Sequence, residues 1–213
     1  MAILSISSSW PRSLGDELRN GMGVPRTPEP VKYFCGILAS DSVVWTWVVS
    51  RLTERLGPID AETEWMPFVY TTYYDAEMGR PIERKFVSFE PLQDPGELAA
   101  VKRWTNDLEA EVRRTHSSGR RVINLDPGWL NLHQVVLAST KPAGHRIYIG
   151  AGIYAELTLW FRDGRWTALP WTYPDYRESA AVAFFAELRD RYRRQRHRWL
   201  KSPGVVETPI GSG

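Results

Sequence analysis

Cysteine is almost missing from this chain. The single thiol, Cys35, excludes an internal disulfide. It lies in the apolar run Tyr33-Phe34-Cys35-Gly36-Ile37-Leu38 and reads as a small buried hydrophobe rather than a reactive thiol. A chain without a disulfide framework suits a reducing compartment, so a cytoplasmic location is expected. Histidine is also scarce. Four scattered histidines and one cysteine give no ligand spacing for a structural zinc site, and no metal centre is expected. No stretch approaches the roughly twenty apolar residues of a membrane span, so no membrane partner is expected. The opening Met1-Ala2-Ile3-Leu4-Ser5 has neither a basic segment nor a long apolar one and does not read as a secretory signal. Phosphate-binding P-loop, dinucleotide-binding, zinc-protease and nucleophile-elbow signatures are all missing, which leaves any cofactor unassigned.

What is present is aromatic: ten Trp, nine Tyr and seven Phe, enough to build a large core with polar handles at its edges. Net charge is only +2, but it is unevenly placed. Between Arg189 and Lys201, seven basic residues face Asp190 alone, so the remainder of the chain is net acidic. No stacking aromatics interleave with those cations, so they read as a solvated helix end beside its negative dipole, and a nucleic-acid partner is not expected.

Residues 1–30 are rich in Ser, Gly and Pro and read as an irregular arm, residues 31–200 as a single α+β domain, and residues 201–213 as a flexible tail. A strand is expected near Val31–Leu38. A helix follows with Val44, Val48, Leu52 and Leu56 on one face, stopped by Gly57-Pro58. Strands are expected near Met66–Tyr73 and Arg84–Glu90. Asp94, Pro95 and Glu97 start a second helix whose inner face is Leu98, Val101, Thr105, Leu108 and Val112. Lys102, Asn106, Glu109 and Arg113 form a polar stripe that reads as its wet face. Short strands follow near Arg121–Leu125, His133–Thr140 and His145–Ile149, then a longer one over Ile153–Phe161. The last places Tyr154, Glu156, Thr158 and Trp160 on one face. Asp163-Gly164 signals a tight hairpin into Arg165–Leu169. A final helix runs from about Tyr176 to Leu200, with Asp175 as its cap and Glu178 as box partner. Clustered strands without regular βαβ alternation predict an α+β fold, mostly antiparallel, with about three helices. Its first part is compatible with a ferredoxin-like βαββαβ unit carrying extra strands.

Polar and aromatic residues gather at the expected strand ends, where loops carry function. Lys141, Arg146 and Arg84 are the candidate anion-binding cations: lysine offers a point charge, arginine a planar fork. Tyr73, Tyr74 and Trp171 are candidate walls, and Glu77 and Asp175 complete the candidate ligand-binding set. Asp126, His145 and Glu156 are the candidate acid/base groups. Each has a plainer reading. Asp126-Pro127-Gly128 is ordinary turn chemistry, Lys141 to Arg146 fits a polar hairpin loop, Asp175 fits a helix cap, and the aromatic rings fit a core.

Five segments together carry a resemblance. Thr72-Tyr73-Tyr74 with Glu77-Met78-Gly79, Asn124 to Gly128, Leu137 to Lys141 with His145 to Tyr148, Gly152 to Glu156, and Trp171 to Tyr176 resemble domain-of-unknown-function family 4416, a family of uncharacterised bacterial proteins. The resemblance covers about Pro30 to Tyr192. Some members carry a GTP-binding label, to which this sequence, lacking a P-loop, gives no support. The resemblance implies that the five segments are family features and brings no catalytic residues.

The leading expectation is a site for a small anionic or phosphate-bearing molecule, a nucleotide included, built from strand-end loops. A non-enzymatic protein-interaction module is the alternative, and RNA binding through aromatics and the Arg-rich helix end is a third. The sequence leaves open whether the protein is an enzyme.

Overall fold

A computed structural model describes residues 25–202. The chain divides into two units, one of them compact over Glu29–Pro203; of the other, only residues 25–28 are described. The arm expected over 1–30 and the tail over 201–213 therefore lie largely outside the described residues.

Strand β1 (Val31–Ala39) is buried along its whole length and is the axis of the fold. Helix α1 (Trp45–Leu56) follows and buries Val48, Leu52 and Leu56, as their four-residue spacing predicts. Gly57 ends it with φ 96, a conformation that Leu or Ala would resist. Then come β2 (Ile59–Glu62), β3 (Met66–Pro67), the single turn α2 (Asp75–Met78), β4 (Glu83–Gln93), α3 (Leu98–Thr115) and β5 (Ile123–Leu130). The sheet continues through β6 (Gln134–Ser139), β7 (Arg146–Gly150), β8 (Ile153–Arg162) and β9 (Arg165–Ala168), and α4 (Ser179–Leu200) closes the unit.

The main path of the sheet is β2-β4-β1-β5-β6-β8-β7, with every pairing antiparallel. Within it, β1-α1-β2-β4-α3-β5 is a βαββαβ unit in the spatial order second, third, first, fourth strand. This is the ferredoxin-like arrangement, extended beyond its fourth strand. Alternation along β1 divides the core. Val31, Tyr33, Cys35 and Ile37 pack under α1 and α3. Phe34 packs with Phe86, Tyr176, Phe184 and Phe185 on the opposite side, beneath α4.

Several local expectations need correction. The strand expected over Met66–Tyr73 shrinks to Met66–Pro67; the second strand of the unit is Ile59–Glu62. Asp126-Pro127-Gly128 is no turn but the middle of β5, where Asp126 faces Gly36 and Gly128 faces both Phe34 and Leu137. Asp175 is not the cap of the last helix. It sits inside a 3-10 turn, Pro174–Arg177, and Glu178 occupies the N-cap of α4 without a side-chain bond. Along β8 the expected alternation breaks at Thr158, where pairing with β6 shifts register, so Leu157 joins the α3 side and Leu159 the α4 side. The hairpin signal holds, with Asp163 at φ 51 and Gly164 at φ 77.

Candidate functional site

Strands β5 and β6 pair only over Gly128–Leu130 and Val135–Leu137. Toward the start of β5 and the end of β6 they part, and the sheet opens into a fork. Two residues make the fork possible. Gly128 stands at its apex, where an added Cβ would lie 2.4 Å from the Val136 carbonyl oxygen. Pro127 comes next. In an antiparallel ladder the peptide groups of alternate residues point to alternate neighbours. The Leu125 N–H and C=O point away from β1, so the Pro127 nitrogen does as well. Its missing donor falls on the edge that has no strand to pair with.

The open edge of β5 is satisfied by helix α3 instead. The Glu109 carboxylate accepts from Leu125 N at 2.8 Å, and Lys102 Nζ donates to Leu125 O at 2.6 Å. Lys102 and Glu109 are thus buried in the stripe Leu98, Val101, Lys102, Thr105, Leu108, Glu109, Val112, not solvated as the sequence reading expected. Arg113, from the same polar stripe, is exposed. Arg121 completes the clamp, donating to Glu109 Oε2 at 2.6 Å, Asn124 Oδ1 at 2.5 Å and the Ile123 carbonyl at 3.2 Å.

A cavity of about 460 Å³ fills the fork. Because it passes through the opening in the sheet, it is lined from both sides: Lys102 and Asn106 from α3, and Arg84, Asp175 and Tyr176 from the opposite layer. The β5 arm contributes Asn124 and Asp126; the other arm contributes Ser139, Thr140, Lys141, Arg146 and Glu156. The segment between β3 and α2 covers it with Phe68, Tyr70, Tyr73 and Tyr74.

Of the candidate residues, Tyr73, Tyr74, Arg84, Asp126, Lys141, Arg146, Glu156 and Asp175 line this one cavity. Glu77, His145 and Trp171 do not. Glu77 pairs with Arg121 at 3.1 Å outside it. His145 lies behind Glu156, with Nε2 3.1 Å from the carboxylate, and stacks on Trp171 with ring centroids 5.0 Å apart. Trp171 in turn donates to the Leu157 carbonyl. Lys102, Asn106, Asn124 and Tyr176 also line the cavity and were not proposed from sequence. The signal for Lys102 was its place four residues after Leu98, within the buried stripe rather than opposite it.

The charges are arranged unequally. Arg84 is buried at the floor of the cavity, with Nη2 2.8 Å from Asp175 and Nη1 3.5 Å from Asp126. Its guanidinium lies against the rings of Phe68, Phe86 and Tyr176, and its Nε and Nη1 lack hydrogen-bond partners among the described residues. Gly36 makes room for it: a Cβ there would lie 2.9 Å from Arg84 Nη1 and 2.8 Å from the Tyr176 hydroxyl. Arg146 spends Nε on Glu156, Nη1 on the Lys141 carbonyl and Nη2 on the Tyr173 hydroxyl. Among the described residues, Lys141 Nζ by contrast meets only the Tyr73 hydroxyl, at 2.8 Å, and that ring's face. Glu156 Oε2 is held by Arg146 at 2.8 Å and by His145 at 3.1 Å, and Oε1 takes a long, 3.4 Å bond from the Thr158 hydroxyl, so both oxygens are engaged.

Burial raises the pKa of Glu109, against the pull of Lys102 and Arg121; burial likewise raises that of Asp175, against Arg84. A carboxyl raised on folding takes up its proton in the folded state first. Its contribution to stability therefore grows as pH falls from the raised folded value toward the ordinary value, 4.5 for Glu109 and 3.8 for Asp175. Urea unfolding at pH 7 and pH 5 should show this component in the wild type and a smaller one in Glu109→Gln. Identical pH dependence in both proteins would contradict it.

The basic end of α4 is largely committed elsewhere. Arg191 pairs with Glu187, Arg193 with Asp190 and Arg196 with Glu29, and Arg189 bonds the Leu132 carbonyl above the Phe161 ring. Among the described residues, no helix is long and apolar enough to cross a membrane, and no cluster of three His, Cys, Asp or Glu side chains is placed to hold a metal.

These features define an α+β protein with a ferredoxin-like core and a ligand-sized cavity where its extended sheet forks. The chain belongs to the family described as "Domain of unknown function (DUF4416)", whose model matches residues 29–192. No curated protein and no solved structure matches it.

Proposed function

We propose that the fork cavity binds a small anionic, phosphate-bearing molecule, with nucleotides among the candidates. The observation that carries this reading is Lys141. Its ammonium lines the cavity beside Arg146 and lies within ion-pair distance of no carboxylate among the described residues. A cation held against a tyrosine ring at a cavity wall, with a guanidinium alongside, is ready to take an anion. The lining holds five basic side chains against three acidic ones, and the volume falls in the range of small-molecule sites. Of the three acid/base candidates, Glu156 has both oxygens engaged and His145 is spent on Glu156 and Trp171, whereas Asp126, which lines the cavity, has a carboxylate oxygen that accepts no hydrogen bond among the described residues, so any proton transfer would fall to it. A cytoplasmic setting belongs to this reading and fits the single, buried thiol.

A thermal-shift screen against phosphate, sulfate, sugar phosphates, nucleotides and divalent metals tests the proposal. At a hundredfold excess over Kd, a ligand stabilises by about 2.7 kcal/mol. For a chain of this size that is a rise of roughly 5–10 °C in Tm. The rise should be confined to anions and lost in Lys141→Ala, whose exposed side chain is not needed for folding. A panel without any responsive anion would overturn the reading.

One observation favours the alternative of an interaction module. Strand β7 is the edge of the sheet and leaves Ile147, Tyr148 and Ile149 exposed. A concentration-dependent mass in solution, abolished by Ile147→Lys, would support it.

A further inference from the structure

The two arms of the fork differ in kind, and the difference concerns the ligand's body rather than its charge. On the β6–β8 arm Arg146 is paired with Glu156, but Lys141 faces no carboxylate among the described residues, and the two cations stand with the hydroxyls of Tyr73 and Tyr173. On the β5 arm every cation already faces a carboxylate: Arg84 meets Asp175 and Asp126, and Lys102 Nζ lies 3.7 Å from Asp126 Oδ1. A second anionic group placed there would meet Asp126 at close range, in a site where burial weakens screening.

The Lys102–Asp126 pair is separated in a useful way. At 3.7 Å the two atoms are too far apart for a hydrogen bond. Among the described residues Lys102 Nζ makes one hydrogen bond, to the Leu125 carbonyl, which leaves two N–H groups for a ligand. Asp126 Oδ2 accepts from Asn124, while Oδ1 accepts from no group among the described residues. One alcohol can donate to Oδ1 and accept from Nζ, closing the gap. Asn106, one turn along α3 from Lys102, supplies an amide for a neighbouring alcohol. A carboxylate, an ammonium and a carboxamide together match a vicinal diol, in which each hydroxyl both donates and accepts.

We infer that the ligand is a polyol monophosphate of the sugar-phosphate class, its phosphate on Lys141 and Arg146 and its hydroxyls on Asp126, Lys102 and Asn106. This rests on the anion reading above, and the two are separable by experiment. Inorganic phosphate, pyrophosphate, glycerol 3-phosphate, ribose 5-phosphate, glucose 6-phosphate and the matching unphosphorylated polyols are titrated calorimetrically into the wild type and Asp126→Asn. At least one polyol monophosphate should bind about tenfold or more tightly than inorganic phosphate and than its own unphosphorylated polyol, because a site built to bond hydroxyls gains from them. In Asp126→Asn, a nearly isosteric change checked by its circular dichroism, the ratio of polyol phosphate to phosphate affinity should fall toward one. If phosphate binds as tightly as every polyol phosphate, or if Asp126→Asn keeps the ratio, the inference is overturned while the anion site stands. If none of the phosphates binds, the inference is overturned, and the anion reading falls with it when the thermal-shift panel also holds no responsive anion.

Discussion

Glu109→Ala should cost the protein about 3 kcal/mol of stability, because it strips the open edge of β5 of its substitute partner. The Leu125 N–H would be left buried without an acceptor, and Arg121 would lose its 2.6 Å ion pair. Lys102, still bound to the Leu125 carbonyl, would remain as a buried cation with one carboxylate fewer near it. An α3 face that merely met solvent would predict a change within about 0.5 kcal/mol. Urea unfolding distinguishes the two without ambiguity. A near-neutral Glu109→Ala would mean that α3 does not clamp the fork.

Gly128→Ala should be comparably damaging, for a steric reason. Its Cβ would meet the Val136 carbonyl oxygen at 2.4 Å and the Phe34 ring at 2.7 Å, in the place where β5 and β6 join. Backbone atoms there have no rotamer to escape into, so the strands must part, at a cost of about 3 kcal/mol. For a chain of this length that lowers Tm by roughly 6–12 °C. The same substitution at Gly144, where an added Cβ meets nothing within 4 Å, is the control and should leave Tm almost unchanged. Equal effects at the two positions would show that the apex is not tightly closed.

The contrast between these glycines shows what could be read from the sequence. Most of the βαββαβ core was legible, because α1 and the apolar face of α3 carry clean helical spacing and β1 is a continuous apolar run, but its second strand, the short and half-buried Ile59–Glu62, carries no such signal and was expected at Met66–Tyr73 instead. The convergence of Tyr73, Arg84, Asp126, Lys141, Arg146 and Glu156 on one cavity was approachable, because all belong to polar clusters at strand ends or to the strands beside them. The fork was not legible. Asp-Pro-Gly is turn chemistry in isolation, and only the ladder shows that Pro127 and Gly128 serve an opening between strands. Lys102 and Glu109 were misread for the same reason: they are polar residues in a buried stripe, which makes sense only once an unpaired strand edge lies opposite. Asp175 has the residue type and position of a helix cap, but the buried Arg84, ninety-one positions away in the chain, claims it. His145 and Trp171 have suitable chemistry, yet each is spent on the other and on β8.

A crystal structure of the protein grown with inorganic phosphate or glycerol 3-phosphate tests most directly whether the fork cavity is the binding site. Phosphate density is predicted between Lys141 Nζ and the Arg146 guanidinium, beside the Tyr73 and Tyr173 hydroxyls. A fork empty of phosphate, with the ion instead on the arginines that end α4, would contradict it.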